Sequence, residues 1–280
     1  MAAASPEADS TGSPSLPAET LMTTVQRFKL AAAAAAIGLS FSAMAATPAA
    51  PDTARPSVVI VHGAFADGSD WAKVIPLLQA KGLHVVAVQN PLTSLEDDVA
   101  AARRAIDAQP GKVVLVGHSW GGSVITEAGA NDKVSSLVYV AAFAPDAGQN
   151  SAELGKDYPP APGFAHIVAD KSGFLSLTRE GMSKHFAQDL PAAVTAVMTA
   201  TQGPILGKSF EQKLSVAAWK TKPSWYLATS ADHMIQPALQ LDMAKKIGAH
   251  LTRVNSSHVP QQSQPAKVAE VILDAVRQSK

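Results

Sequence analysis

Residues 117–121 read Gly-His-Ser-Trp-Gly, a serine with a glycine two positions away on either side. That spacing suits a nucleophile on a turn so tight that Gly117 and Gly121 must have almost no side chain. The preceding run KVVLVG (112–117) is apolar and β-branched, and the following run SVITEAGA has helical spacing. A strand, a sharp turn and a helix are expected in that order. The helix start then favours negative charge beside Ser119, and Gly122 lets helix and strand approach closely.

A serine hydroxyl attacks only when a base takes its proton. Histidines stand at 62, 84, 118, 166, 185, 233, 250 and 258. His84 and His250 open strands and read as structural. His118 lies inside the turn, with its ring expected to point away from the serine oxygen. His166 and His185 fall in a later segment as surface or pocket residues. His258 differs, because NSSHVPQQSQP is a polar loop between the last strand and the last helix, and it is taken as the general base. The third member must be a carboxylate that orients the imidazole. Asp232 follows the strand SWYLATS in the loop ADHMIQP, with Asp146 in reserve and His233 as a bystander. Donors for a developing oxyanion come from the backbone amides of Ala64, in the loop HGAF after the first strand, and of Trp120. Gly63 allows close backbone approach there, and His62 braces the loop.

These loops need a sheet whose strands all end at one edge. From Ser57 onward the chain alternates short apolar runs with helical ones. Strands are expected at 57–62, 84–89, 112–117, 135–143, 224–230 and 249–255. Helices are expected at 71–82, 94–108, after Ser119, near 237–247 and at 265–278. Strands this apolar, separated by helices, predict an α/β fold with a mostly parallel sheet of about six strands. Residues 146–222 break the rhythm with Pro159, Pro160, Pro162 and helical-looking pieces, and are expected to form a small helical cap at the carboxyl edge. Phe164, Phe174, Phe186 and Met198 in that segment are candidate pocket-lining residues.

The four motifs HGAFADGSDW, GHSWGG, SADHMIQP and SSHVP, each after its strand, resemble the α/β-hydrolase superfamily over nearly all of Pro56–Lys280. The resemblance is to its small branch of plant methylesterases, hydroxynitrile lyases and related bacterial esterases. It implies a serine hydrolase, foremost a carboxylesterase on small or medium esters, with Ser119, Asp232 and His258 as triad in the chain order of that fold. Hydroxynitrile lyases carry a lysine after the triad histidine and a threonine in the oxyanion loop. Here Val259 and Gly63 stand there, which disfavours cyanohydrin cleavage. A serine at the elbow argues against the dehalogenases and epoxide hydrolases of this fold, which use aspartate. Competing readings are lyase or perhydrolase chemistry on the same triad, or a non-catalytic binder.

Composition narrows the partners. With 23 basic and 23 acidic side chains among 280 residues, the net charge is zero, giving no long-range pull toward nucleic acid or anionic membrane. Without cysteine there is no thiol catalysis, disulfide or Cys-ligated zinc. No metal or organic cofactor is implied. The chain begins with a polar Ser-, Pro- and Ala-rich stretch (1–21) that reads as a disordered extension. From Met22, Arg27 and Lys29 precede the run LAAAAAAIGLSFSAMAA, which ends in Ala43-Met44-Ala45. These are the parts of a secretory signal peptide, cleaved near Ala45. The run is shorter than the ~20 residues of a spanning helix, so no stable membrane insertion is expected. Residues 46–56 would be a leader into a domain at 57–280, and the location expected is secreted or periplasmic.

Overall fold

A computed structural model describes residues 55–279. The expected extension, signal peptide and most of the leader lie outside the described residues. Nine strands are described: β1 (Ser57–Val61), β2 (Val85–Val88), β3 (Val113–His118), β4 (Val134–Val140), β5 (Ile167–Ala169), β6 (Phe174–Leu177), β7 (Ile205–Leu206), β8 (Ser224–Thr229) and β9 (His250–Val254). Six form one sheet in the order β2-β1-β3-β4-β8-β9, every neighbouring pair parallel.

Alternation along each strand separates two cores. Val59, Val61, Leu115, Leu137, Tyr139 and Tyr226 face one side, against the helices Leu95–Asp107, Gly121–Ala128 and Pro237–Lys246. Val58, Ile60, Val114, Val116, Val138 and Leu227 face the other, against Ile75–Gln79 and Pro265–Gln278. Burial on both faces of the inner strands β1, β3, β4 and β8 explains why they read as apolar runs. The helix Leu95–Asp107 begins where Ser94 accepts the Asp97 amide and has Glu96, Asp97 and Asp98 in its first turn, as capping and dipole favour.

Register sets the edge chemistry. Val61 pairs with Gly117, so the loop after β1 runs beside the turn after β3. The order reverses between β1 and β3, a switch point at which α/β sheets open a crevice. Thr229 pairs with Val254, so the loops bearing Asp232 and His258 leave the sheet side by side.

Two expectations need correction. The single helix over 71–82 is instead a 3-10 turn at Gly68–Trp71 and a short helix at Ile75–Gln79. Pro76 has no N–H and is tolerated only in a first turn, so the helix cannot run through it. The segment between β4 and β8 is also not simply helical. It contains an antiparallel sheet β5-β6-β7 beside the helix Ala192–Thr201. Gly173, at φ +85°, closes the β5–β6 turn, and the Asp170 carboxylate accepts the Ser172 and Phe174 amides there.

Candidate active site

Ser119 directly follows β3 with φ +53°, in the left-handed region that costs a non-glycine residue roughly 1–3 kcal/mol. Its neighbours hold it there. The Ser119 carbonyl accepts the Gly122 amide at 3.0 Å and the Phe143 amide at 3.1 Å. A Cβ on Gly117 would stand 2.5 Å from the Gly121 carbonyl oxygen, and one on Gly121 would stand 2.5 Å from that of Val61. The turn closes only with glycine at both positions. The helix Gly121–Ala128 has no side-chain cap on its first amides.

Asp232 and His258 are brought together. His258 Nδ1 lies 2.7 Å from Asp232 Oδ2, with both side chains buried. The carboxylate can only accept there, so Nδ1 carries the proton and Nε2 presents its lone pair. The other Asp232 oxygen accepts the Met234 amide at 2.7 Å and the Ile235 amide at 2.9 Å. Gln240 Nε2 donates to Oδ2 at 2.8 Å, and Thr229 Oγ1 lies 3.1 Å from it. A buried carboxylate so surrounded is held in one orientation. On the other side of the ring, His118 Nε2 donates to the His258 carbonyl at 2.8 Å. Burial holds the His118 imidazole well below its usual pKa, so it stays neutral.

Ser119, His258 and Ala64 line one cavity of about 440 Å³, walled largely by apolar side chains including Phe65, Phe143, Phe186, Phe210, Met234 and Leu239. Of the four candidates between β4 and β8, Phe164 and Phe186 line this cavity and Met198 lines a second one, whereas Phe174 lines neither. The Ala64 and Trp120 amides donate to no protein acceptor among the described residues. His62 donates from Nδ1 to the Gly63 carbonyl at 2.8 Å and accepts the Asn90 amide at Nε2, 2.9 Å away. It is a brace of the Gly63–Ala64 loop.

Other candidates lie elsewhere. Asp146, the reserve acid, pairs with Lys220 at 2.5 Å and not with a histidine. His250 stacks on Trp225. His166 stacks on His185, whose Nδ1 lies 3.3 Å from that of His233, beside Asp232 in sequence. Among the described residues, no three His, Cys, Asp or Glu side chains are grouped to hold a metal ion, and no helix is long and apolar enough to cross a membrane.

Sequence reasoning missed Thr229, Gln240, His118 and Asp98 as supports. Asp98 carried a signal, since it shares the helix stripe of Leu95, Val99, Ala102 and Ile106, all buried. A carboxylate on an apolar stripe needs partners. The Trp120 indole nitrogen supplies one at 2.7 Å.

Comparison with known proteins agrees with this architecture. Residues 58–271 match the family described as the alpha/beta hydrolase family. A probable hydrolase of the fungus Phoma sp. is 27% identical over 79% of this chain and 98% of its own. A putative chloroplastic methylesterase of Arabidopsis thaliana is 27% identical over 78% of this chain and 63% of its own. Among solved structures, a pyrethroid hydrolase superimposes with a TM-score of 0.71 at 22% identity, over 80% of this chain and 98% of its own.

Proposed function

The chain belongs to the alpha/beta hydrolase family, and on that premise we propose that it is a serine carboxylesterase acting on small or medium carboxylic esters. The observation that carries the reading is the buried 2.7 Å pair of His258 and Asp232, whose imidazole shares a cavity with Ser119. Relatives named as a hydrolase and a methylesterase support the same class.

In this reading Ser119 Oγ attacks the ester carbonyl while His258 Nε2 takes its proton. Asp232 stabilises the imidazolium through the Nδ1 hydrogen bond and stays ionised. The carbonyl oxygen, now negative, receives hydrogen bonds from the Ala64 and Trp120 amides. A preorganised donor of this kind contributes roughly 10²–10³ in kcat. His258 returns its proton to the departing alkoxide, leaving Ser119 acylated. A water molecule deprotonated by the same nitrogen then releases the acid and restores the serine.

The experiment is p-nitrophenyl acetate turnover with phosphonate labelling. Ser119→Ala is expected to abolish both. Undiminished steady-state turnover by that variant would sink the mechanism. Export through a signal peptide ending near Ala45, to a secreted or periplasmic location, is part of the same proposal.

A further inference from the structure

Two consecutive residues of the segment between β4 and β8 reach the two loops that carry the acid–base pair. Gln188 Nε2 donates to the Ala231 carbonyl at 2.6 Å, one residue before Asp232. Asp189 Oδ2 accepts the Ser257 amide at 2.9 Å, one residue before His258, and the Ser256 hydroxyl at 3.2 Å. Two residues before Gln188, the Phe186 ring meets the His258 ring edge-on, with centroids 5.0 Å apart. The loops also bond each other, Ala231 N–H to the Ser256 carbonyl at 3.1 Å.

We propose that Gln188 and Asp189 are positioning residues for the Asp232–His258 pair, so that the cap holds the general base in place as well as walling the cavity. The proposal rests on the reading of Ser119, Asp232 and His258 as a triad. His258 is then fixed from two sides. His118 holds its carbonyl from the sheet, and Asp189 holds the preceding amide from the cap. Neither loop is anchored by regular structure at these positions, since β8 ends at Thr229 and β9 at Val254. A general base displaced by about 1 Å loses on the order of 10² in rate, so bonds that fix two loop backbones act on the chemical step. Burial works against the Asp189 charge, but hydrogen bonds from Ser257 and its serine neighbours outweigh it and keep the carboxyl below its ordinary pKa. The acceptor is therefore ionised at neutral pH and its bonds are charge-assisted.

The test compares Asp189→Ala, Asp189→Asn, Gln188→Leu and Ser119→Ala in the full chain. Kinetics of p-nitrophenyl ester hydrolysis are combined with exhaustive phosphonate labelling to count folded sites. Asp189→Ala is expected to lower kcat about 10- to 100-fold with KM within twofold and the labelled fraction unchanged. Asp189→Asn, which keeps one acceptor oxygen, should recover part of that loss. The low-field proton resonance of the His258–Asp232 bond should broaden in Asp189→Ala. Gln188→Leu removes the other bond independently, and is expected to lower kcat several-fold, which covers the case in which Asp189→Ala does not fold. A shift of KM or ester chain-length preference at constant kcat in these variants would mean that the segment only shapes the pocket, and overturns the proposal. If Ser119→Ala is inactive and the cap variants turn over normally, the positioning role alone fails. If Ser119→Ala remains active, the triad reading fails first.

Discussion

Asp98 Oδ2 lies 2.7 Å from the Trp120 indole nitrogen, so a fully buried carboxylate holds the residue that follows Ser119. Its other oxygen accepts the Leu92 amide at 2.8 Å, and Leu92 sits at φ +60°. The Leu92 carbonyl in turn accepts the Leu206 amide of β7 at 2.8 Å. One side chain thus ties the turn that carries Ser119 to a left-handed loop residue, which itself bonds the small antiparallel sheet.

Burial raises the Asp98 pKa to about 6, from an ordinary 3.8. The folded protein therefore keeps this proton over a range in which the unfolded chain has lost it. Stability from this group falls as pH rises from about 4 to 6 and is level above. Asp98→Asn cannot titrate and should flatten that fall by roughly 2–3 kcal/mol, read by urea unfolding across the window. Asp70, also raised by burial, keeps its share of the slope in both proteins. Identical slopes would refute the assignment.

Gly63→Ala should damage catalysis more than folding. The new Cβ would stand 2.8 Å from Ser119 Cβ and 3.1 Å from His118 Nδ1. The loop must move and carry the Ala64 amide with it. The expected loss is about 10² in kcat, with a thermal midpoint only a few degrees lower. Wild-type kcat in this variant would exclude Ala64 as an oxyanion donor.

Gln240→Leu removes a donor to Asp232 and the acceptor of the Thr229 amide at 3.0 Å. Stability should fall by roughly 1–3 kcal/mol, and kcat about tenfold as the carboxylate gains freedom to turn. Asp232→Asn, which disturbs the His258 tautomer, should cost kcat about 10⁴. Steady-state kinetics beside chemical denaturation separate the two effects.

Phe164 is 51% exposed at the cavity wall. Phe164→Ala should leave the melting temperature unchanged and raise KM about fivefold for bulky aromatic esters, roughly 1 kcal/mol of lost contact. Acetate esters should be unaffected. An equal change for both ester classes would remove Phe164 from the binding surface.

For export, the expected N-terminus of protein recovered outside the cytoplasm is Ala46. Edman sequencing checks this directly, and retention of residues 22–45 would contradict it.

The four inner strands β1, β3, β4 and β8 were legible because burial on both sides writes apolar runs into them, as in SVVIV and VVLVGH, whereas the edge strands β2 and β9 are more exposed. Ser119, Asp232 and His258 could be selected because each follows a strand by a few residues, and loops leaving one end of a parallel sheet meet. Their supports could not be selected in that way. Gln188 meets Ala231 across 43 residues and Asp189 meets Ser257 across 68, and neither sits in a periodic pattern. The strands β5 to β7 escaped notice because they span only two to four residues each and are half-exposed over much of their length. That is too short for alternation to show.

The contacts of Gln188 and Asp189 also bear on engineering. Residues 186–189, 230–233 and 255–258 behave as one cassette, although they are far apart in the chain. A chimera that imports a foreign cap to change ester preference must import all three pieces, or keep a carboxamide and a carboxylate at those two positions. Exchange of the cap alone would alter the reaction centre along with the doorway.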